Sequence, residues 1–326
     1  MRILLVTPAK PGSRHGNRNT AVRWARLLRA SGHYADIVVE AGEAAAGHDI
    51  MIALHARRSA ASIQLWKTNP HRPLILALTG TDLYRDIRTD ATAQHSMRLA
   101  DAMVVLQAEG LNELAPDLRA KTRVVHQSVR AVQRTDPPST YCLITVIGHL
   151  RDEKDPLRAA HALAHLPGTS RIRVVQIGAA MDESLAQEAD AIARPGARYR
   201  WLGELPHGNA MRWLARSHAM VISSRMEGGA HVVSEAIACG VPVLASRIPG
   251  NIGLLGADYP GYFPVEDSAA LAQLMLRLEG DKRFQLALER GVAKRRHLVD
   301  AEAERQALDN LVRSFVTATP SLGAAR

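Results

Sequence analysis

The sequence is poor in aromatic residues and cysteines, and it contains no long apolar run. Phe, Trp and Tyr make up 4% of the 326 residues, so aliphatic side chains and alanine must supply the core, which suits buried parallel strands beneath helices. No apolar run approaches the ~20 residues that span a bilayer. Cys142 and Cys239 lie far apart in the sequence and form no metal or redox spacing. These absences predict a cytoplasmic protein without an integral membrane segment.

The net charge of +9 is concentrated in the first part of the chain. Residues 1–133 hold 18 Lys and Arg against 11 Asp and Glu, whereas residues 134–326 hold 23 against 21. Arginine-rich codon usage is one explanation, because the chain has 35 Arg and only 6 Lys. Attraction of an anionic substrate or of an acidic membrane surface is the other. Composition alone leaves both open, and we expect no nucleic-acid partner.

The chain is long enough for two domains, and short apolar runs alternate with amphipathic segments along it. This alternation predicts an α/β fold with two doubly wound parallel sheets in tandem, which face each other across a cleft. Paired prolines within Arg134–Pro138 predict the boundary between domains 1–133 and 134–300. The runs predicted as strands are Ile3–Val6, Ile37–Val39, Ile50–Leu54, Leu74–Leu78, Met103–Leu106, Arg123–His126, Tyr141–Ile147, Ile172–Ile177, Tyr199–Leu202, Ala219–Ser223 and Val241–Ala245.

The strongest local pattern is a strand that leads through a glycine loop into a helix predicted to begin near Gly229 or Ala230. Free backbone N–H groups and the helix dipole attract an anion at such a helix start, and Gly228 lets a phosphate approach closely. Glu235, eight residues after Glu227, offers a carboxylate that accepts hydrogen bonds from two ribose hydroxyls. The alternative is that Glu227 caps the helix and Glu235 is an exposed surface residue. The residues predicted to bind the ligand are Gly228, Gly229, Ala230, His231 and Glu235.

A second candidate site is the segment His55–Ala60, which follows a predicted strand and opens a helix. It brings two guanidinium groups, from Arg57 and Arg58, and the Ser59 hydroxyl to one point together with free N–H groups. Cations at a helix start oppose the positive end of the helix dipole, and a bound anion would remove that conflict. We therefore predict an anion site here. The alternative is a basic helix start that faces solvent.

The segment Ser224–Val243 resembles the signature of glycosyltransferase family 4, which combines Glu, glycines, Glu-Ala and Gly-Val-Pro-Val. The resemblance implies the GT-B fold, in which two Rossmann-like domains bind the acceptor on the first and the nucleotide-sugar donor on the second. It also implies that the last helix, at about 301–317, packs back on the first domain. Glu227 then acts at the reacting sugar and Glu235 binds the ribose.

The segment Gly148–Pro156 is similar to that family's strand-end loop, in which an Arg and a Lys neutralise the donor diphosphate and stabilise the leaving group. Lys154 falls on the Lys position. His149 stands in place of the Arg, and Arg151 is the candidate for the missing charge. The other residues that the resemblance places at the donor are Gly203, beside the base, and Gly16 and Asn17, in a glycine loop over the phosphates.

Residues 78–86 resemble the strand-end loop where family 4 enzymes often carry His-Gly near the sugar, with Thr79 on the His position. The resemblance places this loop at the acceptor or the sugar. The alternative is that Asp82 and Arg85 only pair with each other on a short helix. The candidate acceptor-binding residues are Arg57, Arg58, Ser59, Thr79, Gly80, Thr81, Asp82 and Arg85.

Several segments that depart from the general pattern resemble one branch of the family, the selenosugar synthases of selenoneine biosynthesis. This resemblance extends from Met1 to about Val316. It implies that UDP-N-acetylglucosamine reacts with selenophosphate to give a 1-seleno sugar, UDP and phosphate. Asp-x-Asp, with which GT-A-type enzymes hold a divalent ion, does not occur in the chain, so we expect no metal and no other cofactor. Two alternatives stay open: an ordinary family 4 transferase acting on a hydroxyl, and a UDP-sugar epimerase or non-catalytic nucleotide-sugar sensor.

Overall fold

A computed structural model describes residues 1–13, 16–80 and 82–315. The chain divides into two compact units. Unit 1 comprises Met1–Ser128 together with the segment that starts at Asp300, and unit 2 comprises Val129–Val299. The chain therefore leaves unit 1 once and returns to it once, close to the boundaries at 133 and 300 that the sequence predicts.

Unit 1 is built around six parallel strands in the order β2-β1-β3-β4-β5-β6. The strands are β1 Arg2–Val6, β2 Tyr34–Val38, β3 Ile50–Leu54, β4 Leu74–Leu78, β5 Ala102–Val105 and β6 Thr122–Val124. The helices are α1 Gly16–Ala30, α2 Ala60–Trp66, α3 Ile87–Thr89, α4 Ala91–Leu99, α5 Pro116–Ala120 and α13 Ala301–Arg313. The chain order reverses between β1 and β3, which is where open α/β sheets usually bind their ligands.

Both faces of this sheet are covered, as the continuous apolar runs require. Alternate residues of each strand enter two separate cores: Leu4 packs on the side of α2, and Ile3 packs on the side of α1. Trp66 fills the first core and Trp24 the second, and neither is exposed to solvent. Both tryptophans therefore belong to the core of unit 1.

Unit 2 repeats the plan with six parallel strands in the order β12-β11-β10-β7-β8-β9. The strands are β7 Cys142–Ile147, β8 Ile172–Ile177, β9 Tyr199–Trp201, β10 Ala219–Ile222, β11 Val243–Ser246 and β12 Tyr262–Phe263. The helices are α6 Arg158–Ala162, α7 Glu183–Ile192, α8 His207–Ala215, α9 His231–Cys239, α10 Pro249–Leu255, α11 Ser268–Gly280 and α12 Lys282–Lys294. The chain order here reverses between β7 and β10.

The predicted α/β fold with two doubly wound parallel sheets is confirmed. The strands β3, β4 and β8 have the predicted bounds. β3 and β4 are continuous apolar runs, whereas β8 also contains Arg173 and Gln176. The strand β12 has only two residues, too short to leave a sequence pattern. None of the helices in the described parts of the chain is long and apolar enough to cross a bilayer.

Glu304 on α13 fixes the returning chain to unit 1. Its carboxylate is buried and accepts hydrogen bonds from Trp24 Nε1 (2.8 Å), from Arg23 Nε (3.1 Å) and from the backbone N–H of Ser128 (2.8 Å). Ser128 is the last residue before the chain leaves the unit. One carboxylate thus ties α13 to α1 and to the exit point, and Leu308 of α13 completes the core beside it.

We predict that Glu304→Gln lowers the free energy of unfolding by about 3 kcal/mol, because it leaves a largely buried guanidinium without its counter-charge. Urea unfolding of the full chain measures the change. Glu302→Gln on the same helix is the matched control, since Glu302 pairs only with neighbours on α13, Arg305 and Gln306, and should alter stability little. Equal effects of the two substitutions would contradict the role of Glu304.

Candidate active site

A pocket in unit 2 lies where the chain order of its sheet reverses, at the carboxyl ends of β7 and β10. Peptide groups and side chains from both strand ends and from the loops that follow them form its walls. The lining residues are Val146, Ile147, Gly148, Lys154, Pro156, Gln176, Val221, Ile222, Ser223, Ser224, Glu227 and Val232. The structure therefore brings Lys154 and Glu227, which are 73 positions apart in the chain, into one pocket.

Lys154 and Glu227 are in direct contact. Lys154 Nζ donates a hydrogen bond to Glu227 Oε1, and Ser224 Oγ donates to the same oxygen at 2.6 Å. The Glu227 side chain is 9% exposed, whereas Lys154 is 24% exposed and can reach a ligand in the pocket. Because the Glu227 carboxylate accepts hydrogen bonds from these two partners, it does not cap the following helix.

Arg225 joins the two loops that carry this pair. Its guanidinium contacts Asp152 and Glu266, each at 2.6 Å, and its backbone N–H donates to the carbonyl of Glu153 at 2.9 Å. The Ser223 hydroxyl adds a hydrogen bond of 2.7 Å to the carbonyl of Asp155. These contacts place Lys154 opposite Glu227. Sequence reasoning missed Arg225, and the only local signal was an unexplained charge between Ser224 and Glu227.

The helix α9 begins at His231, one or two residues later than predicted. Gly228, Gly229 and Ala230 form the loop before it, and Ala230 is the N-cap residue without a side-chain capping bond. Among residues 1–13, 16–80 and 82–315, no side chain accepts a hydrogen bond from the first N–H groups of the helix, which stay suited to an anion. The glycines leave the approach to these groups open.

Glu235 is buried, with 5% of its surface exposed, so it is not the exposed residue of the alternative reading. Its Oε1 accepts a hydrogen bond of 2.7 Å from His207 Nε2, at the start of α8, and lies 3.7 Å from His231 Nε2. The hydrogen bond to Glu235 raises the pKa of His207. A ligand that needs this carboxylate must replace the imidazole of His207, which is mostly exposed and can move away.

His149, Arg151 and Gly203, which are predicted near the donor, lie in the turns after β7 and β9. His149 Nδ1 accepts a hydrogen bond of 3.1 Å from the backbone N–H of Ala179, which leaves the other ring nitrogen as the donor of the neutral imidazole. Arg151 is half exposed and lies 4.0 Å from Glu153, and it does not line the pocket. Gly203 has a φ of 66° in the turn after β9, where its carbonyl accepts from Gly178 N–H.

In unit 1 the loops after β3 and β4 are joined by Asp82. Its fully buried carboxylate accepts from the backbone N–H groups of Thr79 (3.0 Å) and Gly80 (2.9 Å) on one oxygen, and of Ala56 (3.1 Å) on the other. Asp82 therefore fixes the two loops and does not pair with Arg85. Thr81 lies outside the described residues.

The donors expected around Arg57 are largely engaged within the chain. The Ser59 hydroxyl donates to the carbonyl of Leu54 at 2.6 Å, and the Arg58 N–H faces Nδ1 of His55 at 3.4 Å. The guanidinium groups of Arg57 and Arg85 are paired with Asp86 but stay accessible: the side chain of Arg57 is 42% exposed and that of Arg85 is 52% exposed. An anion at this edge of the sheet would therefore meet arginines more than backbone N–H groups.

Two other predicted residues, Gly16 and Asn17, form the first turn of α1 in unit 1. Arg14 and His15, in the predicted glycine loop before them, lie outside the described residues. Within residues 1–13, 16–80 and 82–315, no three His, Cys, Asp or Glu side chains are grouped so that they could hold a metal ion.

Gly250, in the first turn of α10, packs closely against the backbone of Glu227. A Cβ atom at this position would lie 2.0 Å from the carbonyl oxygen of Glu227, so only glycine fits. We predict that Gly250→Ala displaces the Glu227 loop and lowers the free energy of unfolding by about 2 kcal/mol.

Denaturant unfolding measures this effect, and Gly208→Ala in α8 is the matched control. A Cβ at Gly208 meets no atom within 4 Å, and alanine is a better helix former than glycine, so the control should keep or raise stability. Unchanged stability of the Gly250 variant would show that the loop accommodates the methyl group.

Comparisons with known proteins agree with this geometry. The chain is 24% identical over 280 residues to glycosyltransferase 1 domain-containing protein 1 of Xenopus tropicalis, a match that covers 76% of this chain and 79% of that protein. The structure of this chain is similar to that of a sucrose-phosphate synthase from Thermosynechococcus elongatus, with a TM-score of 0.80 and 16% identity. The match covers 98% of this chain and 100% of the synthase chain.

A second solved structure, Anabaena Alr3699/HepE in complex with UDP-glucose, has a TM-score of 0.77 and 14% identity, and covers 96% of this chain and all of the other. At such identities these similarities establish the fold, which is of the GT-B type. The family model of glycosyl transferases group 1 matches residues 130–295, which include the whole pocket with Lys154 and Glu227. The chain belongs to the glycosyl transferases group 1 family.

Proposed function

We propose that this glycosyltransferase forms a 1-seleno sugar from UDP-N-acetylglucosamine and selenophosphate, with release of UDP and phosphate. The observation that carries the proposal is the presence of two cationic constellations, one in each unit. Lys154 with the α9 start in unit 2 suits the donor diphosphate. Arg57, Arg58 and Arg85 in unit 1 suit a second anion, which an ordinary hydroxyl acceptor does not bring.

The donor is proposed to bind in the unit 2 pocket, with its diphosphate at Lys154 and at the N–H groups that open α9. Glu235 takes the ribose hydroxyls after His207 has moved away, and Gly203 lies in the turn that the resemblance places beside the base. The Anabaena protein of the same fold was solved with UDP-glucose, which supports a UDP-sugar as the donor class.

Lys154 changes partner in this proposal. In the structure it is paired with Glu227. A diphosphate draws Nζ toward its oxygens, and Glu227 becomes available to a hydroxyl of the sugar. Lys154 then stabilises the charge that develops on UDP as the glycosidic bond breaks, and loss of one such donor typically costs on the order of 100-fold in rate.

The acceptor needs little activation, because a selenophosphate anion is already a strong nucleophile and requires no dedicated base. A bond forms between selenium and the anomeric carbon as the bond from that carbon to UDP breaks. Water then cleaves the phosphorus–selenium bond, which releases phosphate and leaves the 1-seleno sugar. The enzyme contributes alignment of the two reactants and neutralisation of charge.

The decisive experiment incubates the full chain with UDP-N-acetylglucosamine and, in parallel, selenophosphate, thiophosphate, simple alcohols or no acceptor. UDP release and product mass are followed. We expect turnover with selenophosphate and a product with the mass of the seleno sugar. Turnover with alcohols but never with selenophosphate would contradict the proposed seleno-sugar synthesis and identify a hydroxyl acceptor. A new sugar nucleotide formed without any acceptor would identify an epimerase, and binding without turnover a sensor.

Two substitutions separate the proposed sites. Arg57→Ala is predicted to raise the KM for selenophosphate by roughly 10-fold or more and to leave UDP affinity nearly unchanged, because one charge-assisted contact is lost. Glu235→Ala is predicted to weaken UDP binding by a similar factor and to spare the acceptor KM. Steady-state kinetics and calorimetric titration with UDP measure both. If either variant weakened selenophosphate use and UDP binding equally, the assignment of Arg57 to the acceptor and Glu235 to the donor would be wrong.

We also predict that the reaction is independent of a divalent ion, because Lys154 and the start of α9 supply the positive charge. Excess EDTA is expected to leave the rate of UDP release unchanged. Magnesium added back is the control for side effects of the chelator. A rate that falls with EDTA and recovers with magnesium would establish a metal requirement.

A further inference from the structure

Asp86 connects two of the arginines on which the acceptor site depends. Its Oδ2 lies 3.1 Å from Nε of Arg57, and its Oδ1 accepts a hydrogen bond of 3.3 Å from Nε of Arg85. The carboxylate is 5% exposed, whereas both arginine side chains are about half exposed. Since the two oxygens belong to one carboxylate, the two guanidinium groups are held close to each other.

The contacts with Asp86 occupy the inner edge of each guanidinium group. Both use Nε, so the terminal nitrogens stay toward the exposed end of the side chain. The side chain of Arg85 is 52% exposed, and Nη1 of Arg57 lies 4.0 Å from Asp90. Terminal guanidinium nitrogens form the fork that matches the oxygens of a phosphoryl group.

Asp86 is itself held in place. It ends a π-helical segment, Asp82–Asp86, a rare conformation that recurs at functional sites. Asp82 at the start of this segment is anchored to both neighbouring loops by backbone N–H groups. The carboxylate is therefore a fixed point for two flexible side chains, each of which otherwise loses much rotamer entropy when it binds a ligand.

The charge of the cluster stays favourable to an anion. His55 Nε2 lies 3.9 Å from Asp86 Oδ2, but burial lowers the pKa of His55, so this imidazole is neutral at pH 7. With His55 neutral, the three guanidinium groups of Arg57, Arg58 and Arg85 outnumber the two carboxylates beside them, Asp86 and Asp90. Arg58 is exposed and has no ion-pair partner in the described residues.

We propose that Asp86 is a positioning residue for the acceptor. It orients the guanidinium groups of Arg57 and Arg85 as a preformed pair that binds one phosphoryl group. The proposal rests on the proposed function, because it assumes that the acceptor bears such a group. It assigns Asp86 no contact with the substrate. Loss of the carboxylate should therefore act through the two arginines and not on the chemical step.

The test compares Asp86→Asn with wild type and with the control Arg88→Ala, which removes the pair between Arg88, on the following helix α3, and Glu113. We expect Asp86→Asn to raise the KM for selenophosphate or thiophosphate by roughly 10-fold while kcat and UDP affinity stay near wild type. In the Arg57→Ala background the same substitution should have a smaller effect, since its target is already absent. The control should match wild type throughout.

An unchanged KM, or a KM that falls because a repelling charge has been removed, would overturn the role of Asp86. So would a full 10-fold effect that persists without Arg57 and Arg85. If Asp86→Asn fails to fold, as a thermal melt would show, the exposed Arg85→Ala takes its place and must raise the same KM.

The two proposals fail in different ways. If wild type turns over no phosphorylated acceptor, the proposed function is wrong. The inference is then decided by calorimetric titration with inorganic phosphate, which should bind wild type more tightly than Asp86→Asn. Equal binding to both proteins would exclude the arginine pair as a phosphoryl site.

Discussion

The contact between Lys154 and Glu227 is the interaction around which unit 2 is arranged. An ammonium group and a carboxylate in a shielded pocket must be paired, or each would pay a large desolvation cost. The surrounding structure serves this pairing: Arg225 and Ser223 hold the two loops together, Gly250 lets α10 approach, and Ser224 completes the shell of the carboxylate. Lys154 is the more exposed member of this pair, so it is the group that the proposed diphosphate would draw away.

Much of the fold follows from local sequence, because the central parallel strands are short runs made mostly of apolar residues. The runs at Ile50–Leu54 and Ile172–Ile177 have the same bounds in the structure. The start of α9 was harder to predict: two glycines weaken the local preference, and the helix begins only at His231. Glu227 and Glu235 could be identified from the sequence, because both lie close to Gly228 and Gly229 in the chain.

What the sequence could not reveal is which polar groups the chain uses for itself. Asp82 and Ser59 were candidates for substrate binding, yet their partners are backbone groups of neighbouring loops that only the fold brings close. Glu304 left no signal, because its partners Trp24 and Arg23 lie about 280 positions away in the chain. A polar residue near a strand end is therefore ambiguous until its hydrogen bonds have been assigned.

The two units solve the problem of binding an anion in different ways, and the difference fits their proposed ligands. In unit 2 a single flexible Lys154 can leave Glu227 and follow the charge that develops on a leaving group, which is useful where charge changes during reaction. In unit 1 Asp86 orients the planar guanidinium groups of Arg57 and Arg85. Such an arrangement suits a ligand that is charged throughout the reaction and must be oriented. A nucleophile that arrives already charged demands orientation more than activation, and fixed guanidinium groups provide orientation.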